Sequence, residues 1–163
     1  MPLSARPSIV AGLLTFFLLA TSAGQAGAKR LDEERQPQGD AVQCVALAVY
    51  FEARGEPPAG QRAVAAVVMN RTRHPAFPDH PCDVVWQRNA NGCQFAWACA
   101  LPKPYPTDLD AWDRAVGIAE RAVAGRLSDP TGGALYFHNS AVDPYWRHAV
   151  RPVGAVGGHR FYR

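Results

Sequence analysis

Apolar residues crowd the chain between Cys44 and Phe51. Cys44, Leu47, Ala48 and Phe51 fall at i, i+3, i+4 and i+7, one face of an α-helix, and Val45 and Val49 add a second apolar stripe beside it. The pattern predicts a helix with little surface meant for water, opened by Asp40 as its cap. Gly55 suits the left-handed position that ends a helix, and Pro57-Pro58 forbids continuation. One carboxylate, Glu52, stands in the last turn. A second apolar stretch, from Pro57 or Ala59 to Asn70, carries Ala63, Val64, Ala66, Val67 and Val68, small enough to pack closely on the first helix. Arg71, Arg73 and His74 follow, where positive charge suits a helix C-terminus and a structural role is adequate for all three.

Regularity then fades. Pro75, Pro78 and Pro81 interrupt the pattern, residues 83–87 read equally as strand or helical turn, and Gln94-Phe95-Ala96-Trp97 alternates as a short strand would. A third helix is expected with Thr107 as cap, Asp110 completing a box-like arrangement, and Gly125 as stop. Its apolar face is Leu109, Trp112, Val116, Ala119 and Val123. The tail is β-like: residues 134–138 follow a Pro-Thr-Gly-Gly turn, residues 153–162 supply a partner strand, and Asp143-Pro144-Tyr145-Trp146 is a loop between them. Helices plus a small antiparallel sheet make an α+β domain.

The two glutamates differ in setting. Glu52 sits among apolar neighbours at the negative end of a helix dipole, and both effects raise its pKa. A carboxyl that stays protonated near neutrality serves general acid catalysis. Glu56 lies at the positive N-terminus of the next helix, where a capping carboxylate is the bland reading. Phe95 and Trp97 are as readily core as groove wall, and His138, Asn139, Tyr145, Trp146 and His159 are types that line sugar grooves, though a lone His in a strand is more often structural.

The remaining features place the domain. Arg6 followed by the apolar run Ile9–Ala20 and small-residue sites up to Ala28 reads as a signal peptide over residues 1–28, too short for a span of ~20 residues. Residues 29–39 are a polar linker, and 40–163 form one domain. The expected location is the periplasm or beyond, with no stable membrane span after cleavage. Four cysteines, Cys44, Cys82, Cys93 and Cys99, in an exported chain favour two disulfides, with all three pairings open. They lack zinc-site spacing and a His cluster, so no metal and no cofactor is expected. The net charge of +3 is compatible with an acidic wall polymer, and no basic stripe points to nucleic acid.

The run Val49-Tyr50-Phe51-Glu52-Ala53-Arg54-Gly55-Glu56-Pro57, with Gly60-Gln61, Ala63-Val64-Ala65 and Val67-Val68-Met69-Asn70-Arg71, closely resembles the signature of cell-wall hydrolases of the spore-cortex-lytic (SleB-like) type. Cys93-Gln94-Phe95-Ala96-Trp97 is similar to a QFS-like block of that family, with Ala96 where Ser is usual, and His159-Arg160-Phe161-Tyr162 to its ending. The resemblance spans about Cys44 to Arg163. It implies a lysozyme-like fold and cleavage of the MurNAc–GlcNAc β-1,4 bond of peptidoglycan, in characterised members as lytic transglycosylases, by a single domain taken here as a monomer. It implies Glu52 as the catalytic acid, with Glu56 as the fallback, and brings Gln94 into the substrate-binding set. A retaining glycosidase needs two carboxyls ~5–5.5 Å apart and an inverting one ~6.5–9.5 Å, across a groove. Asp83, Asp129 and Asp143 are distant candidates without a motif, so one acid is the simpler reading.

Two other classes compete. An exported Cys/His peptidase would use Cys44 at a helix start with His138-Asn139 downstream. A non-catalytic, disulfide-stapled wall-binding module would explain the aromatics and leave Glu52 without a purpose.

Overall fold

A computed structural model describes residues 40–90, 92–100 and 105–163; the signal peptide and linker expected over 1–39 lie outside them. Helix α1 (Ala41–Ala53) is buried almost throughout, from Cys44 to Tyr50 and again at Ala53. Asp40 caps it, its Oδ1 accepting from Val42 N at 3.0 Å. The helix does not end on a left-handed Gly55, which is absent from the positive-φ residues. Arg54 N still bonds back to Tyr50 O, Glu56 N donates to Ala53 O at 2.9 Å, and the prolines redirect the chain. Helix α2 (Pro58–Thr72) begins on Pro58 and buries Ala63, Val64, Val67, Val68 and Arg71.

Helix α3 (Pro81–Val85) resolves the ambiguous 83–87 segment in favour of a helical turn. A two-residue ladder, β1 (Arg88–Asn89) with β2 (Gly92–Cys93), leads to α4 (Ala96–Ala100). The expected strand over 94–97 is therefore a bend running into a helix. The Cys93–Cys99 disulfide closes that segment on itself, and Cys44–Cys82 joins the start of α1 to α3. Helix α5 (Leu109–Val123) starts one residue later than expected. Asp108 caps it through Ala111 N, while Thr107 N and Asp108 N donate to the Tyr50 hydroxyl, both at 3.0 Å.

The face α5 buries holds to expectation at Trp112, Val116 and Ala119, which pack against the core, and departs from it at the two ends, Leu109 and Val123. Leu109 is 64% exposed, whereas Ala111, Ala115, Ile118, Ala119 and Ala122 are inside. Small side chains let α5 lie close against α1, and this close packing outweighed the bulkier ends of the stripe. Gly125 does take the left-handed stop, with φ +68°. In the tail, the single partner strand expected over 153–162 is a hairpin, β4 (Pro152–Val156) and β5 (His159–Tyr162), turning at Gly157-Gly158. β3 (Tyr136–Asn139) pairs with β5, giving the antiparallel order β3-β5-β4. Phe161, fully buried, packs this sheet onto Ala63 and Val67 of α2. Residues Tyr145–Ala149 form a 3-10 turn in the expected loop.

Candidate active site

Helix α1 delivers Glu52 to the rim of a cavity of about 310 Å³. Its walls come from three elements: Arg71 at the end of α2, Gln94-Phe95-Ala96 from the disulfide-closed bend, and Phe137, His138, Asn139 and His159 from the sheet. Glu52 is the only carboxylate among these lining residues. Burial raises its pKa; the Trp97 indole and the Arg71 guanidinium work against the rise. The indole N–H reaches full hydrogen-bond geometry with no acceptor, although it is buried beside the carboxyl.

A second cavity of about 620 Å³ continues from the first, sharing Arg71, Gln94, Phe137 and His138. Tyr136, Tyr145 and Trp146 line it, and Tyr145 is 81% exposed. Together the two cavities make a groove with one acidic end and one aromatic end. Aromatic faces can stack on sugar rings through apolar and C–H contacts, and Tyr136, Tyr145 and Trp146 offer such faces.

Glu56 stands elsewhere. It lines neither cavity; its Oε2 accepts from Gly158 N at 2.7 Å, tying the α1–α2 junction to the hairpin turn. The expectation that it caps α2 fails, because its carboxylate bonds across space and Pro57 occupies the cap without a side-chain bond. The glycines make room for it. A Cβ on Gly157, whose φ is +57°, would collide with its carboxylate, and one on Gly158 would come within 2.7 Å of Oε1. His159 Nδ1 is 3.9 Å from Glu56 Oε1, but burial lowers the imidazole pKa, so the pair carries little charge attraction at neutral pH.

The other expected site residues divide. Gln94, Phe95, His138 and His159 line the Glu52 cavity, and Tyr145 and Trp146 the aromatic one. Trp97 lines neither: its ring stacks on Phe51 at 4.8 Å and sits edge-on to Trp86, inside the core. His138 is fixed between Asn139 O and the Tyr162 hydroxyl, each 2.8 Å away, so its Nδ1 donates and its Nε2 accepts. Asp129 is consumed by a turn, accepting from Thr131, Gly133 and Asn70, and Asp143 pairs with Arg147. None of the distant aspartates faces Glu52 across the cavity. All four cysteines are bridged, which removes Cys44 as a nucleophile and with it the peptidase reading.

Sequence reasoning passed over Arg71. It is 2% exposed, donates from Nε to Leu135 O at 2.7 Å, and gives Nη1 and Nη2 to the Gln94 amide oxygen at 3.2 and 3.0 Å, with the amide oriented by that network. The rings of Phe77, Phe95 and Tyr136 surround its guanidinium at 5.1–5.9 Å. The available signal was its spacing: Ala63, Val67 and Arg71 continue one buried stripe at i, i+4 and i+8.

Fold and groove together define an α+β domain of the kind found in lytic transglycosylase catalytic domains. The solved catalytic domain of the germination-specific lytic transglycosylase SleB from Bacillus anthracis matches with TM-score 0.60 and 31% identity, over 78% of this chain and all of that one. The catalytic domain of Bacillus cereus SleB matches with TM-score 0.59 and 32% identity, over 78% and 94%. Residues 55–162 match the Cell Wall Hydrolase family, and the chain belongs to it. Glu56 is inside that matched span and Glu52 just before it. The spore cortex-lytic enzyme of Halalkalibacterium halodurans is 38% identical over 123 residues, 74% of this chain. The chain spans about a third, 34%, of that relative's length. Among the described residues no helix is long and apolar enough to cross a membrane, and no group of three or more His, Cys, Asp or Glu is arranged for a metal.

Proposed function

We propose that this chain cleaves the MurNAc–GlcNAc β-1,4 bond of peptidoglycan as a lytic transglycosylase, with Glu52 as its single acid and base. The observation that carries this reading is the lone carboxylate at the head of the groove, its pKa raised by burial. The protonated Glu52 gives its proton to the glycosidic oxygen as the C1–O bond breaks. The carboxylate so formed then takes the proton of the muramyl C6 hydroxyl, O6 bonds to C1, and a 1,6-anhydro ring closes. Glu52 ends protonated, ready for the next bond. No activated water is needed, which accounts for a groove with one acid instead of two.

The two disulfides suit an oxidising compartment and accord with export to the wall. Mass spectrometry of digested glycan strands tests the reaction. Anhydro-muramyl ends are expected; reducing muramic ends would replace the transglycosylase with a muramidase, and intact glycan would end the reading.

A further inference from the structure

The cation at the junction of the two cavities has no carboxylate of the described residues in direct contact. Arg71 is almost wholly buried, and among the described residues no carboxylate comes within ion-pair distance of it. Its contact partners are neutral, one main-chain carbonyl, one amide oxygen and three aromatic rings, and the one carboxylate whose charge reaches it is Glu52, which the reaction needs protonated at the start. A buried charge is tolerated when it is paired, and an unpaired one is costly. Burial lowers its pKa only to about 10, so the guanidinium remains charged at neutral pH. A purely structural tie from α2 to Leu135 O needs one donor and no charge.

Chemistry at the neighbouring acid sharpens the problem. Positive charge builds at the anomeric carbon as the glycosidic bond breaks, and the Arg71 cation lining the same cavity opposes it until Glu52 has given up its proton. The opposition vanishes if the substrate brings an anion to the guanidinium. Three of the five N–H donors are taken by Leu135 O and the Gln94 oxygen, and the one left on each of Nη1 and Nη2 can donate a charge-assisted hydrogen bond to a carboxylate. A muramyl residue carries such a group, either as its own lactyl carboxylate or on the peptide attached there.

We propose that Arg71, oriented by Gln94 and Leu135 O, is an anion-binding subsite that takes a carboxylate borne by the muramyl residue. The inference rests on the glycan reading above. It makes the subsite a selector for muramyl over plain N-acetylglucosamine units, and it couples that selection to the electrostatics at Glu52.

Binding to the full-length Glu52→Gln variant tests it apart from turnover, and the substitution also removes the protein's own nearby carboxylate. The probes are N-acetylmuramic acid, its methyl ester, and N-acetylmuramyl-L-alanyl-D-glutamate, with the Arg71 Nε–H resonance as the local reporter. At least one carboxylate probe should bind ~10-fold or more tighter than the ester and move that resonance. Tighter binding of the free acid assigns the lactyl group; tighter binding of the muramyl peptide assigns the stem. Equal binding of acid, peptide and ester, or an unmoved Arg71 signal, overturns the subsite and leaves Glu52 catalysis standing. Gln94→Glu gives the guanidinium an internal carboxylate. It should erase the preference without lowering the melting temperature, and a preference that survives in a folded Gln94→Glu protein would also overturn the proposal.

Discussion

Glu52 and Glu56 are four residues apart, yet the fold puts them in opposite situations. Glu52 looks into a cavity, has no strong hydrogen-bond partner fixing it, and is pushed toward its protonated form by burial. Glu56 is not among the residues lining the cavity, holds the Gly158 amide, and is walled in by Gly60, Gly157 and Gly158. A carboxylate that already holds a main-chain amide is the poorer proton donor; one left without such a partner and half-buried at a cavity is the better one. The difference teaches that local sequence setting, a helix end against a helix start, was a sound guide to Glu52 and an incomplete one to Glu56, whose partner is 102 residues away.

The largest effect should come from exchanging the proton carrier for its isostere. Glu52→Gln should lower glycan cleavage by ~10²–10⁴-fold or more, with the melting temperature kept, because general acid–base catalysis contributes on that scale. Glu56→Gln should retain most turnover per folded molecule. A dead Glu56→Gln with an active Glu52→Gln would reverse the comparison.

Next in size are the bridges, which hold the two regions differently. Cys44–Cys82 closes a loop of 38 residues at the root of the Glu52 helix, and Cys93–Cys99 one of only 6 at the cavity wall. Chain-entropy reasoning gives about 4 kcal/mol for the longer loop and about 2 kcal/mol for the shorter. Paired Cys→Ser variants should therefore show the larger fall in denaturation midpoint for Cys44/Cys82. The Cys93/Cys99 pair should instead lose more activity than stability, since its loop carries Gln94 and Phe95.

The helical half of this contrast was legible in the sequence and the tertiary half was not. The apolar density of residues 44–51 announces a buried helix, and Glu52 at its end follows from periodicity alone. The Gly157-Gly158 turn was read through as part of a single strand over 153–162, and nothing local says that the turn admits Glu56. Arg71 read as a helix-end cation because its three aromatic neighbours come from separate segments, at Phe77, Phe95 and Tyr136. Trp97 read equally as wall or core, since alternation cannot tell a short strand from a bend that enters α4. The expected face of α5 was right at its centre and too long at its ends, and it missed Ala111, Ala115 and Ala122, because alanines give weak hydrophobic signals but permit the closest helix contact.

The structural role of Glu56 predicts a moderate stability loss. Glu56→Gln weakens a hydrogen bond from a main-chain amide to a charged group, a contact worth ~1.5–3 kcal/mol, and chemical denaturation should register a fall within that range. Gly157→Ala should be worse, because it adds left-handed backbone strain to a collision with the same carboxylate. Unchanged stability in both would show that the tether is dispensable.

The smallest effect, and the most direct reading of the contrast, is in the pH dependence. The folded-state pKa of Glu52 is raised, so between the ordinary glutamate value and that raised value the folded chain binds more protons than the unfolded one. Stability from this group is then full below the ordinary value and is lost as pH rises through the raised one. Cleavage should decline over the alkaline side of the same window, because the acid must carry its proton. His159 acts with the opposite sign: its pKa is lowered, so its contribution is present above the ordinary imidazole value and is lost as pH falls through the lowered one. Melting temperatures of wild type and Glu52→Gln, followed upward from the ordinary carboxylate range through the imidazole range, about pH 4 to pH 8, separate the two. The difference between the curves should grow with pH in favour of Glu52→Gln, since the variant no longer holds a carboxylate that loses stability on ionising. A constant difference across that range would mean that Glu52 titrates as an ordinary surface carboxyl, and the distinction between it and Glu56 would lose its electrostatic basis.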